Sequence, residues 1–532
     1  MVQHFHNLKA VNTSIAQAGL QIDISKAYYV NIHCVCFTAT NGIPYIYRGG
    51  HENDTTAVLN KGRDTHVSYA TGHLFHIAGH NPDLHGDITQ WIAQTAVDNA
   101  FEALIVLTEN GYVLGAGDNY NGWLAQGNTT DIVNELIEIY DPTDYSNDHA
   151  TKIRHTFGHA QPNANYGQTF YILTAGGKIY ASGDGNHGKL GRGSTTDSNT
   201  LIHTQDSAGT ANNWVDFETS FGDDTTAAIG VQSDGSWYAL GDGTTYITGG
   251  GNTSTDRTTW TAISELPSSK TVSDIKIAGS WAKAAAFVLF TDGSLYGCGS
   301  NSKGVMDQGN TTDLSTYTEI DTGVDEIFVP NTNRYSATEI ETLIYRKGTT
   351  YYLNGYDAYN MSMTDPGSAV NQTTTVTMGT ALPTGFAIEK LYHPTSGTSS
   401  VGAFFVMVKN STTNEHRVYY CGQNSYGEMG NGTTTHPSNS DLDLNDITPY
   451  LPCPAKDIIH MEQCSQSQMY YLSWIIDKFG SVYATGTKRG TTGSAAYGSN
   501  YDCFPYRGSA MSDYSLVWQR VTPFIEGNSR ED

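Results

Sequence analysis

The residues of this chain that could do chemistry are histidines and carboxylates. Nine of the eighteen histidines fall in the first 85 residues: His4, His6, His33, His51, His66, His73, His76, His80 and His85. The spacing His73-x-x-His76-x-x-x-His80 could gather imidazoles around a metal. His4-x-His6 could do the same on the three-fold axis of a fibrous trimer. The segment around them is polar, so surface and loop histidines are the plainer reading, and neither a metal nor another cofactor is expected. The carboxylate pairs Asp223-Asp224 and Asp325-Glu326 could suggest acid–base work, but they read as solvated loop charges without a positioned partner. No nucleophile elbow, phosphate-binding loop or Cys–His constellation occurs, and no catalytic residue is expected. What remains is surface. Tyr120, Trp123 and Tyr426 fall in loops that follow short strands, and Tyr356 and Tyr359 fall in a looser equivalent. Tyr and Trp give stacking area at low entropy cost, and neighbouring Asn and Ser give adaptable hydrogen bonds. These five are the candidate binding residues; packing between repeats is the competing reading.

The elements that must position them recur. Thr291-Asp-Gly-Ser-Leu-Tyr-Gly-Cys-Gly299 is a tight turn followed by a short strand, and a glycine-rich excursion then ends in Gly309-Asn-Thr-Thr-Asp313. Asp-Gly and Asn-Gly supply the positive φ that a two-residue hairpin needs. The unit returns at Asn110-Gly111, Gly176-Gly177, Asp234-Gly235, Gly348, His416 and Phe479-Gly480, with a weaker match at Asn41-Gly42. The period is about 55 to 70 residues, which indicates a radial or solenoid array of several short strands per unit. Asn213–Phe217, Ile275–Ala278 and Ile458–Met461 read as first strands, and Ala286–Phe290 and Phe404–Val408 as second strands.

Asn186-His-Gly-Lys-Leu-Gly191 and Asn424-Ser-Tyr-Gly-Glu-Met-Gly430 carry a resemblance to the RCC1 repeat, the unit of the regulator of chromosome condensation. The resemblance covers most of the chain. It implies an all-β fold: a closed ring of four-stranded antiparallel blades, usually seven. Here seven units are clear and one is weak, so seven blades are favoured and eight remain open. Residues 1–30 lie outside the clear repeats and are read as an attachment or ring-closure segment. The propeller spans 31–532, with a weak first unit at 31–98, clear units at 99–505 and a closing strand at 513–525. That last strand is expected to complete the blade begun at the N-terminus. Leu20-x-Ile22-x-Ile24 alternates as a half-buried strand would.

The function classes follow from composition. With 53 acidic against 28 basic residues the formal charge is −25, and such a surface repels phosphate backbones. The densest basic clusters, Lys488-Arg489, Arg346-Lys347 and Lys152-x-Arg154, are too small to reverse that, so nucleic acid is not an expected partner. Of the seven cysteines, Cys298 and Cys421 hold the same repeat position and read as small buried residues of a protein made in a reducing cytosol. Residues 1–30 carry no basic start followed by an apolar run, and no stretch has the length of a membrane-spanning helix. The Asn-x-Ser/Thr triplets at Asn128, Asn252, Asn310 and Asn431 read as turn chemistry. The favoured function is a non-enzymatic virion protein made in the host cytoplasm, a bacteriophage tail or capsid appendage. Its partners would be other virion proteins or further copies through the N-terminal segment, and a host-surface glycan or receptor. A lectin-like carbohydrate-binding propeller and an RCC1-type scaffold for a small GTPase are the alternatives. No functional residue of the RCC1 family carries over, because the match is confined to repeat glycines and core positions.

Overall fold

Short β-prone runs joined by two-residue turns satisfy their backbone groups most readily by pairing with their sequence neighbours. In a computed structural model of the chain they do so as the eight blades of a β-propeller, each of four antiparallel strands, with blade 4 extended by two short strands, Gln205–Asp206 and Gly209–Thr210. The structure describes residues 21–30, 34–48, 73–95, 102–156, 167–206, 209–210, 212–220, 226–251, 254–278, 284–329, 342–357, 361–364, 371–392, 404–422, 424, 426–435, 444–466, 470–487, 489–490, 501–502 and 514–521. Blade 1 runs from Tyr28–Val30 to His73–His76, blade 2 from Ile88–Thr95 to Ile132–Tyr140, and blade 3 from Ala150–Thr156 to Ser198–His203. Blade 4 runs from Trp214–Thr219 to Arg257–Ile263, and blade 5 from Val272–Ala278 to Leu314–Asp321. Blade 6 runs from Glu326–Phe328 to Asn371–Thr377, blade 7 from Phe386–Tyr392 to Asn445–Asp446, and blade 8 from Ile458–Gln466 to Tyr514–Arg520. Among the described residues the α-helix is a single turn, Pro82–His85.

Of the two blade counts left open by the sequence, the chain adopts eight. The weak unit is a full blade, with Asn41-Gly42 joining Cys34–Thr38 to Pro44–Arg48. Ile88–Thr95, expected in that first unit, is instead the first strand of blade 2. Leu20–Ile24 does not supply a strand from its described part: Ile22 makes one bridge to Ala39, and Ile24 turns outward at 38% exposure.

Each blade lies between two others, so both of its faces are covered. This is why second strands such as Ala285–Phe290 are buried at every position and read as unbroken apolar runs. The core is accordingly a ring of eight apolar clusters, one per seam. First strands of adjacent blades lie against one another, which puts them innermost. The ring closes by packing. Ile22, Val35 and Phe37 meet Leu472, Trp474 and Ile476 across the seam between blades 8 and 1. The expectation that the last strand completes the N-terminal blade is corrected: Tyr514–Arg520 pairs with Val482–Thr487 inside blade 8.

The excursion between third and fourth strands has its own hardware. Asn301, fully buried, donates from Nδ2 to the carbonyls of Asn310 (3.1 Å) and Thr312 (3.1 Å) and accepts from the Met306 N–H (2.9 Å). Asn119 and Asn424 repeat the arrangement with residues at the same offsets. Eight residues beyond the Asn position, a glycine reaches the next blade. The N–H groups of Gly127, Gly193, Gly251, Gly309 and Gly432 donate to the carbonyls of Asn199, Thr258, Ser315, Thr373 and Leu516, each in the following blade's fourth strand, at 2.7–2.9 Å. The glycine that ends the third strand is fixed by crowding as well as by φ: at Gly183 (φ +103°) a Cβ would lie 2.1 Å from the Gln168 carbonyl oxygen.

Replacing Asn301 with Ala leaves two carbonyls and one N–H without their partner. The expected cost is roughly 2–4 kcal/mol of stability, read as a lower midpoint in urea. Asn310→Ala, which alters an exposed turn, should cost less than half as much.

Candidate binding surfaces

The channel wall is built from first-strand residues that alternate away from the seams. Lys152 and Arg154 of blade 3 face Asp216 and Glu218 of blade 4. The Arg154 guanidinium donates to both Glu218 oxygens at 2.5 and 2.7 Å, and Lys152 reaches Asp216 at 2.6 Å. Burial works against the Glu218 charge, but Arg154 and Lys152 outweigh it and hold its pKa down at about 2. A β-bulge near the start of first strands, as at Trp214/Asp216 and Val272/Asp274, aims these side chains. One basic cluster noted in the sequence is thus occupied in joining two blades. The Arg346-Lys347 cluster is also paired: Lys347 reaches Asp321 of blade 5, and Arg346 pairs with Asp325 and Glu326 at the start of its own blade. Arg346 therefore gives Asp325-Glu326 the partner that the sequence did not reveal.

The excursion loops make up one face. Tyr120 projects from it at 55% exposure. Tyr426 is half-buried, and Tyr356 is half-buried with the Lys303 ammonium 5.3 Å from its ring centre. Trp123 is not on the surface. It is fully buried in the seam between blades 2 and 3, its indole N–H donating to the Asp118 carbonyl. Tyr359 lies outside the described residues, as do Asp223-Asp224, His4 and His6. His73 and His76 fall on the fourth strand of blade 1, and His80 beyond it bonds the Gly86 carbonyl at 2.9 Å. Asn128 and Asn310 close local turns by accepting from Thr130 and Thr312 N–H groups at 2.8 Å. Cys298 and Cys421 are buried thiols in their seams.

Beneath the loops sit carboxylates, Asp184 and Glu428 among them buried, that single-repeat reading missed. Asp118 and Asp131 lie side by side in blade 2; burial, then the Asp131 charge, pushes Asp118 up to about 7. In blade 3 the equivalent Asp184 is met by the Lys189 ammonium, both buried, while burial raises the pKa of Asp197. Glu428 in blade 7 is fully buried and is pushed by burial up to about 8. The signal was present in the sequence as an Asp after the strand-ending glycine and another at the loop's end, in consecutive units.

A groove opens between blades 6 and 7, with a cavity of about 830 Å³. Phe328, Tyr351, Ile388 and Leu391 give it an apolar floor. Its rim is charged and paired: Glu326 with Arg346 at 3.3 Å, and Glu389 with Lys409 at 3.5 Å and His416 at 3.2 Å.

The chain is an eight-bladed β-propeller, and its fold is similar to that of RCC1 proteins. Human WBSCR16 superposes with a TM-score of 0.46 at 11% identity, over 74% of this chain and 88% of its own. Yeast RCC1 (Prp20), in a complex with Kap60, gives 0.47 at 11%, over 71% and 79%. Prp20p from Saccharomyces cerevisiae gives 0.44 at 12%, over 70% and 80%. The likeness is one of fold. The sequence matches no protein-family profile and no curated protein.

Asp118 and Glu428 keep their protons to higher pH when folded than when unfolded, where they titrate near 3.8 and 4.5. The folded state therefore binds more protons in between, so their contribution is complete below about pH 4 and is lost as pH rises through about 7 to 8. The thermal midpoint should fall between about pH 5 and about pH 8.5. The Glu428→Gln variant should show a shallower fall, measured by differential scanning fluorimetry across that range.

Proposed function

We propose that this protein acts by binding and assembly rather than catalysis, and that it is a structural protein of a virus particle, a bacteriophage tail or capsid appendage. It contacts other virion proteins or further copies of itself, and it presents its loop face to a host-surface glycan or receptor. The observation that carries the binding reading is the groove between blades 6 and 7. An apolar floor supplies contact energy, and exposed ion pairs on the rim can exchange for a partner's charges at little cost. That groove suits an extended segment of another chain. The titratable residues in the blade 2 and blade 3 seams, by contrast, are engaged with one another or with neighbouring blades, as at Asp184–Lys189 and Arg154–Glu218.

The virion reading draws its support from composition: only 15% charged residues, an acidic balance, and loops rich in Gly, Asn, Thr and Tyr. Yeast RCC1 is described with Kap60, with Gsp1p and with histones; for this chain, a formal charge of −25 argues against a nucleic-acid partner.

Light scattering with negative-stain imaging of the full chain from its native source should give a symmetric oligomer or a larger particle. A monomeric disc would overturn the virion reading, and glycan-array and small-GTPase binding would then decide between a lectin-like module and a regulatory scaffold. Lys409→Glu, on the groove rim, should weaken the partner contact at least about tenfold while leaving the thermal midpoint within a few degrees.

A further inference from the structure

An imidazole and two carboxylates from different repeats meet at the seam between blades 3 and 4. Asp242 follows the third strand of blade 4, Asp256 ends that blade's excursion loop, and His187 comes from the excursion loop of blade 3. His187 Nδ1 lies 2.9 Å from Asp256 Oδ2 and 4.0 Å from Asp242 Oδ2, and the three donor atoms all fall within 4.8 Å of one another. We propose that His187, Asp242 and Asp256 bind a divalent transition-metal cation, of the zinc or manganese class, that ties blade 3 to blade 4.

Asp242 makes the case. It is fully buried, and its Oδ1 accepts from the Thr244 N–H at 2.7 Å. Its Oδ2 faces the cluster and accepts no hydrogen bond. A buried carboxylate oxygen without a partner is costly, and a cation among these three donors meets that need. Asp256 is oriented for the same task, with Oδ1 taking the Gly243 N–H at 3.3 Å and Oδ2 turned to the imidazole. Zinc holds nitrogen and carboxylate donors at about 2.0–2.2 Å, so neighbouring donors in a zinc site stand about 3–3.6 Å apart. The observed separations bracket that distance. His187 and Asp256 are about one-third exposed, which leaves an entry path and room for water in the remaining positions.

The other blades show why this pair needs a cation. In blade 2 burial raises the pKa of Asp118, and in blade 3 Asp184 pairs with the Lys189 ammonium. In blade 5 the first position is Ser300, so no such pair arises. The position of Lys189, four residues beyond Gly185, is Ile247 in blade 4, four beyond Gly243. The blade 4 pair thus has an imidazole where blade 3 has an ammonium. The residue two beyond the Asn position reaches the next blade elsewhere too, as Lys303 does to Tyr356.

The test uses the full chain stripped with chelator, dialysed, and titrated with zinc or manganese chloride by calorimetry. One equivalent should bind, the thermal midpoint should rise, and X-ray absorption at the metal edge should report one imidazole nitrogen with carboxylate oxygens. Asp242→Asn and His187→Gln should each weaken binding by roughly a hundredfold, while Asp118→Asn leaves it unchanged. No saturable binding to the folded chain, or equal binding by wild type and both variants, would overturn the proposal and leave His187 as a hydrogen-bond partner of Asp256.

Discussion

The architecture depends on one backbone hydrogen bond repeated around the ring, from the excursion-loop glycine to the next blade's outer strand. A blade has no reason of its own to hold a long glycine-rich loop in one shape. The buried Asn side chain gives it one by bonding three backbone groups at once. With the loop held, the glycine N–H can reach the neighbouring strand, and residues such as Trp123, Leu124 and Met306 fill the seam beneath. In the five blades that show it, the latch points one way, from a blade to its successor. The loop is therefore both a structural connector and the surface that faces outward, which gives a binding face the rigidity of the scaffold.

Electrostatics is solved locally. A chain with 53 acidic and 28 basic residues cannot pair every carboxylate. Several of the described bases join adjacent blades, as Lys152, Arg154 and Lys347 do. Where no base is available, burial raises the carboxyl pKa, as at Asp118. The same loop position thus has different partners in successive blades, under one backbone geometry.

The turn chemistry and the apolar runs were legible because they are local. Asp292-Gly293 needs only its own two residues, and Ala285–Phe290 shows its burial in six consecutive positions. Blade 1 was faint because its excursion lacks the Gly-Asn-Thr-Thr-Asp tail, so only the Asn41-Gly42 turn announced it. Trp123 read as a loop aromatic because it follows a strand; that the loop folds under itself is a property of Asn119, four residues earlier. The chemistry was the least legible part. His187 stands 55 residues from Asp242 and 69 from Asp256, a separation that only the blade-to-blade register converts into contact.

Seven of the eight seams join blades that follow one another in the chain; the eighth joins blade 8 to blade 1, where the described residues meet by apolar packing. There Ile22 and its neighbours carry by contact what a peptide connection carries elsewhere. Under pulling force or heat the ring has a defined place to part, and it would part as an open chain of blades, each still paired within itself. A molecule anchored near that seam would bear load across its weakest joint, whereas one held on the opposite side of the ring would spread the load through continuous backbone.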